Sequence, residues 1–250
     1  MGDAVYDRIG IGYTEVRRSE PRIEQRIRAA LAGLVEILNV GAGTGSYEPP
    51  GRVLAAVEPS LQMLDQRDPA AAPPVRAVAE RLPFRDDTFD GSMAILTVHH
   101  WSDPLAGLAE VRRVTRGPVV VFTFDRAVHN SMWLAEYLPA AESLDPDHLE
   151  SVQIADALGG GIVETVLVPH DCVDGFAHAY WRRPRAYLDP AVRAGISSFA
   201  RLSEPVVEEA VSKLGADLSS GRWAADHADL LELDELDAGF RLVIAPGPDR

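Results

Sequence analysis

The chain has 250 residues, 46% hydrophobic and 25% charged, which is an ordinary globular composition with length for one large core or two small ones. Its formal net charge of -14 opposes a polyphosphate backbone, which is bound through clustered Lys and Arg, so nucleic acid is excluded as the expected partner. A single cysteine, Cys172, excludes an internal disulfide and a cysteine-built metal centre, and no apolar run approaches the ~18 residues of a membrane span. The N-terminus shows no basic-then-apolar leader, so the expected location is the cytoplasm, with no membrane partner.

In chain order, residues 6–18 are rich in Gly, Tyr and Arg and fit a loop. Ser19 is the expected cap of a helix carrying Ile23, Ile27, Ala30 and Leu31 on one face, ended by Gly33. Residues 34–40 form an apolar strand that runs into Gly41, Gly43 and Gly45, glycines at alternate positions that permit positive φ and close backbone approach. Pro49 and Pro50 leave room for at most one helical turn before the second strand, residues 53–57. Ser60 caps a short helix over 61–66. Further strands are expected over 75–77, 91–97 and 119–124. Between the last two, Asp103-Pro104 opens a helix whose apolar stripe is Leu105, Leu108, Val111 and Val114. Strands alternating with helices imply a parallel α/β sheet.

After Asp125 the rhythm changes. Helices are expected over 130–137, 145–158 and 189–202, the last two opening with Asp-Pro, and another over 205–218. Residues 162–168 and 240–245 complete the strands. Residues 1–250 form one domain, with a helical cap inserted after the fifth strand within 126–204.

The spacing of the glycines discriminates between nucleotide sites. A dinucleotide fingerprint needs a third glycine five positions after the first, where this chain has Ser46, so an NAD(P) oxidoreductase is the disfavoured alternative. Glu58 ends the second strand seventeen positions after Gly41, where a carboxylate has two acceptor oxygens to offer the two hydroxyls of a ribose. The order Gly41-Ala-Gly-Thr-Gly45, Val57-Glu-Pro-Ser60 with Met63-Leu64, Ala79-Glu-Arg-Leu-Pro-Phe84, Asp87-Thr-Phe-Asp90 and His99-His-Trp101 with Asp103-Pro104 resembles the class I S-adenosylmethionine-dependent methyltransferases. Within them it is similar to the small-molecule group containing the ubiquinone and menaquinone biosynthesis enzymes, over about half the chain. The stretch 180–190 and the segment 237–242 are similar to actinobacterial members.

The resemblance implies a Rossmann-like, seven-stranded, mostly parallel sheet with its last strand antiparallel, and S-adenosyl-L-methionine as cofactor. It implies that Asn39, Gly41, Ala42, Gly43, Thr44 and Gly45 hold the methionine part, Glu58 with Pro59 the ribose, Met63 the adenine face, and Ala79 and Glu80 the adenine edge. Leu96 and Thr97 lie near the sulfonium, and Tyr13 and Arg18 close over the site. Asn39 departs from the family pattern, where an aspartate usually meets the cationic amino group; an amide oxygen still accepts a hydrogen bond. The two prolines shorten the following helix, so little dipole reaches the methionine carboxylate.

Methyl transfer requires the acceptor to be positioned and, for OH or NH, deprotonated. His99 and His100, just past the fourth strand, are the candidate bases, with a wall role as the plain alternative. His170, Asp171 and Asp174 are polar groups that could face an acceptor, without the ligand spacing of a metal site. Trp133, Tyr137, Phe176, Tyr180 and Trp181 line an acceptor pocket or form core. The expected activity is methyl transfer to O, N or C of a small metabolite, and a homodimer stays open. The alternative is a cofactor-binding protein serving a cyclisation or rearrangement.

Overall fold

A computed structural model describes residues 17–248. Strands β1 (Ile37–Val40), β2 (Val53–Val57), β3 (Pro74–Val75), β4 (Gly91–Ile95), β5 (Val119–Phe124), β6 (Ile162–Thr165) and β9 (Phe240–Ala245) form one sheet in the order β3-β2-β1-β4-β5-β9-β6. The pairs from β3 through β5 are parallel, and β9 runs antiparallel between β5 and β6, as the resemblance implied. A two-stranded antiparallel ribbon, β7 (Val168–Pro169) with β8 (Glu235–Leu236), was not foreseen.

Alternation along the strands splits the core in two. Leu38, Val40, Val119 and Val121 pack against the helices Pro104–Val114 and Ser151–Ala157. Ile37, Met93, Val120 and Phe122 meet Ile23 and Ile27 of the helix Pro21–Ala30, and Phe176 and Trp181. A third cluster, with Trp133, Tyr137, Tyr187, Phe199, Leu214 and Trp223, binds helices from 126–157 to helices from 184–232. This helical layer lies beyond β5 in the chain and runs past residue 204 to Trp223 and its neighbours.

Several expected elements shift for local reasons. Glu20, not Ser19, caps the first helix, because the Ser19 hydroxyl accepts from the Tyr47 amide at 2.9 Å. The helix expected from Asp145 begins at Ser151, capped by the reciprocal Glu150 and Gln153 pair. Asp145 instead holds Arg201 at 2.6 Å. The helix expected over 189–202 breaks at Gly195 into Pro190–Ala194 and Ser197–Arg201. Of the helix expected over 130–137 only the single turn Leu134–Tyr137 forms, and a separate turn, Arg126–His129, precedes it. In Pro104–Val114 the buried face takes Gly107 in place of Leu105, which is 56% exposed.

Candidate active site

Two cavities meet at the carboxyl ends of the parallel strands, beside the point where strand order reverses about β1 and β4. The first, about 490 Å3, is walled by the loops after β1, β2 and β4 and by residues 76–80. Asn39, Gly41, Ala42, Gly43, Thr44, Glu58, Pro59, Met63, Ala79, Glu80, Leu96 and Thr97 all line it. Gly45 does not; its φ of +100° turns the chain away beneath Arg67 and Glu48. Arg18 is exposed and its neighbour Arg17 takes the place at the cavity, while Tyr13 lies outside the described residues.

Residues 41–52 hold turns only, so the β1–β2 crossover is made without a helix. Gly41, at φ +68°, lies so close to β4 that a Cβ would stand 1.9 Å from Thr97 Oγ1; no larger residue fits. Gly43, at φ +51°, faces the Met63 methyl. Glu58 is 6% exposed; one carboxylate oxygen accepts from the Gly43 amide at 2.9 Å and the other from the Ser60 amide at 2.9 Å. Glu58 therefore ties the glycine loop to the end of β2. A carboxylate oxygen can accept from two donors, which is the chemistry a ribose diol calls for.

The departure at Asn39 has a physical cause in its neighbours. Its Nδ2 donates to Glu48 Oε1 at 2.9 Å, and both Glu48 oxygens accept from Arg67 Nη2 at 2.9 Å. Arg67 in turn donates to the Gly43 carbonyl. An aspartate at 39 would set a second carboxylate against Glu48, which only a donor can satisfy. Because the amide nitrogen must face Glu48, Asn39 Oδ1 is left as a buried acceptor without a partner among the described residues, on a side chain that lines the cavity. Such an orphaned acceptor fits a cationic amino group, so the donor set suits the cofactor that the motif implies.

The second cavity, about 400 Å3, lies between the sheet edge and the helical layer. Its apolar wall includes Met132, Leu134, Leu138, Phe176 and Ile196. Arg17, Leu96 and His100 line both cavities. Leu96 adopts φ +50°, a left-handed conformation that costs a branched residue about 1–2 kcal/mol and here re-aims the chain at the junction. Arg17 is held in place by Asp174, fully buried, whose Oδ1 takes the Arg17 Nε at 2.6 Å and whose Oδ2 takes the Tyr47 hydroxyl at 2.7 Å.

His99 and His100 follow Thr97 in a 3-10 turn, their ring centroids 3.9 Å apart. His99 lines the second cavity only. Burial drives its pKa down to about 3, aided by nearby His148; burial and His99 together hold His100 well below the usual histidine range. Both imidazoles are neutral at pH 7. Trp101 donates from Nε1 to Thr97 Oγ1 at 3.2 Å, and its ring rests on Gly107, where a Cβ would come within 2.4 Å. Trp101 lines the first cavity as well as packing.

Other candidates fall elsewhere. His170 Nδ1 meets the Asp234 carbonyl at 3.0 Å in the ribbon, and Asp171 pairs with Arg22 at 2.8 Å at the surface. Of the aromatic candidates, Phe176 lines the second cavity, whereas Trp133, Tyr137, Tyr180 and Trp181 are packed in the clusters. No group of three or more metal-ligating side chains occurs among the described residues. The sequence reading missed Arg17, His129 and His178, which line the second cavity without any local motif.

A methyltransferase-domain family model matches residues 38–122. A demethylmenaquinone methyltransferase of Mycobacterium sp. (strain JLS) is 32% identical over 133 residues, 50% of this chain and 58% of that protein. The chloroplastic 2-methyl-6-phytyl-1,4-hydroquinone methyltransferase 2 of Oryza sativa subsp. japonica is 29% identical over 48% of this chain and 37% of its own length. The chain thus spans less than two thirds of these curated relatives. Similarity is end to end with a crystal structure from Anabaena variabilis ATCC 29413, described as a candidate methyltransferase from an antibiotic biosynthesis pathway. There the TM-score is 0.84 at 32% identity, over 92% of this chain and 98% of that one.

Proposed function

We propose that this chain, which belongs to the class I S-adenosylmethionine-dependent methyltransferase family, transfers a methyl group from S-adenosylmethionine to a small-molecule acceptor. The observation that carries this is the junction: a cavity walled by the family's motif residues opens onto a second, largely apolar cavity through Leu96, His100 and Arg17. When bound, the cofactor supplies an electrophilic methyl on a sulfonium, so the protein's task is to hold two molecules in line and manage one proton.

Asn39 Oδ1 would accept from the cofactor's amino group, Glu58 from the ribose, and Met63 would pack on the adenine, with Ala79 and Glu80 at its edge. Gly41 to Thr44 contribute backbone groups. In the second cavity His100 touches both spaces, and we assign it the role of taking the acceptor's proton when the acceptor is OH or NH, with His99 tilted against it. Their low basicity makes them weak ground-state bases but keeps both rings uncharged at every physiological pH. That same weakness favours the second reading, a cofactor-binding protein for a cyclisation or rearrangement that needs no base.

The domain reading follows: residues 1–250 act as one unit, and the helical layer opening at residue 126 covers the acceptor. No helix among the described residues is long and apolar enough to cross a membrane. With the strong negative charge, this supports a cytoplasmic enzyme of small metabolites rather than of nucleic acid.

Titration calorimetry with S-adenosylmethionine, S-adenosylhomocysteine and NADH tests the cofactor. Binding of the first two but not the third is expected, and no binding of either sulfur compound sinks the proposal. Release of S-adenosylhomocysteine over a panel of acceptors then separates the enzyme from the binder. His100→Gln should lower that release by more than it weakens cofactor binding, since His100 lines both cavities.

A further inference from the structure

Three side chains, Arg17, Leu96 and His100, line both cavities. A methyl group passing from an occupant of one to an occupant of the other travels between them. Leu96 is apolar and His100 is held neutral, so of the three Arg17 alone brings a charge to that path.

The guanidinium is delivered there by contacts between distant parts of the chain. Asp174 Oδ1 accepts from Arg17 Nε at 2.6 Å and Oδ2 from Arg17 Nη2 at 3.4 Å, while the Tyr47 hydroxyl donates to Oδ2 at 2.7 Å. The side chains of Arg17 and Asp174 are 9% and 1% exposed. Burial, and next the Asp174 charge, push the Tyr47 hydroxyl well above its ordinary pKa, so it stays a donor. Tyr47 lines the first cavity in a left-handed conformation at φ +65°, pinned by its amide on the Ser19 hydroxyl and by the Glu20 amide, which donates to its own hydroxyl at 3.2 Å. Asp174 lines neither cavity.

A buried ion pair is an inefficient source of stability, because desolvating both ions offsets most of their attraction. What this one supplies is position: a long, flexible side chain is fixed at a single point between the cavities. Its charge is felt across the junction. Burial and nearer neighbours come first in keeping His99 and His100 uncharged, and Arg17 adds to them at both rings. Because Arg17 lines the junction and Asp174 does not, the carboxylate compensates the guanidinium incompletely there.

We propose, on the reading that the first cavity holds S-adenosylmethionine, that Arg17 sets the charge preference of the transfer point and that Asp174 is its positioning residue. Together they make the cavity hold the uncharged thioether product more tightly than the cationic sulfonium donor. Loss of charge at sulfur is then favoured by the site itself, whatever the acceptor.

Titration calorimetry of the full chain with S-adenosylhomocysteine and S-adenosylmethionine, which differ by one methyl group and its charge, gives the ratio of their dissociation constants. Arg17→Gln should shift that ratio about fivefold toward S-adenosylmethionine. Asp174→Asn leaves the guanidinium less compensated and should shift it about as far the other way; the shift should shrink in an Arg17→Gln background, since Asp174 acts through Arg17. A merely structural clasp would weaken both ligands alike, so an unmoved ratio in the folded variants, or a shift of the opposite sign in either, overturns the inference. The melting temperature reports folding, and each single variant decides alone. Should neither fold, Arg17→Lys keeps the ion pair but draws the charge back on a shorter stem; it should move the ratio toward S-adenosylmethionine by about twofold, and no movement overturns the inference. Absence of binding of both compounds to the unmutated chain instead strikes the methyltransferase reading and this inference with it, whereas binding of both with an unmoved ratio strikes this inference alone.

Discussion

The cofactor cavity and the acceptor cavity share a wall, yet they satisfy their polar groups in opposite ways. Around the first, Glu58 is tied to two amides and Glu48 to Arg67 and Asn39, so the loop after β1 is braced before any ligand arrives, with Asn39 Oδ1 left over. Around the second, His129 and His178 each keep a buried ring nitrogen without a partner among the described residues. Preorganisation lowers the ordering cost of binding a ligand that is always the same. Unpaired acceptors cost stability and return it only when a matching donor enters, which is how polar specificity is built. The first cavity is made for constancy and the second for choice.

The largest expected effect would break the braced side. Gly41→Ala forces a Cβ onto Thr97 and a side chain into the left-handed region, and should cost about 3 kcal/mol of stability in urea unfolding. Adding Thr97→Ala should recover part of the loss, and a neutral single variant would show that the loop is not packed against β4 as described. Next, Glu58→Ala removes the acceptor for two loop amides and for the ribose, and should weaken S-adenosylhomocysteine binding by about 2 kcal/mol in calorimetry. Unchanged affinity would refute both tasks.

Asn39→Asp is the sharper probe, since the family pattern alone predicts a gain. With Glu48 Oε1 only 2.9 Å from the position now held by Nδ2, two carboxylates would compete, and cofactor affinity should fall by about 1 kcal/mol. Asn39→Asp with Glu48→Gln should restore it. Tighter binding in the single variant would show that Glu48 does not govern this position.

The smallest and broadest effect belongs to the acceptor side. Below pH 6.5 the unfolded chain takes up protons on histidines that the folded chain keeps neutral, His178 down to about 4 and His99 down to about 3. The unfolded state then binds more protons, so stability is full above pH 6.5 and declines as pH falls through that window. Scanning calorimetry should show a falling melting temperature from pH 6.5 to 4, and a shallower fall in His178→Asn. An equal slope in the variant would show that His178 is not kept neutral by the fold.

The same contrast governs what was legible in the sequence. The first cavity is built from contiguous motifs at strand ends, so Gly41 and Glu58 could be placed from spacing and Met63 through the family resemblance, and all seven strands of the sheet were legible in apolar runs or alternation. The acceptor side is assembled from residues 99, 129 and 178, far apart in sequence, and tertiary packing alone brings them to one cavity. Asp145-Pro146 resembled a helix start because a cap signal is local, whereas its competitor, Arg201, is 56 residues away. The Glu150 and Gln153 capping box was local too and was the better signal. Tyr47 and Arg17 reach the site through Asp174, a link between distant segments that no periodicity encodes.

Leu96 sits where those two worlds touch, in a backbone conformation that glycine would adopt without cost. Leu96→Gly would relieve that backbone term yet still lower stability, because it strips away a leucine packed against the core cluster around Ile37, Met93 and Phe122 and frees the unfolded chain. The same change deletes a side chain that lines both cavities, so stability and the separation of the two spaces would be lost together. Libraries built on this scaffold should hold position 96 fixed when robustness is the goal, and open it first when the aim is to admit bulkier substrates.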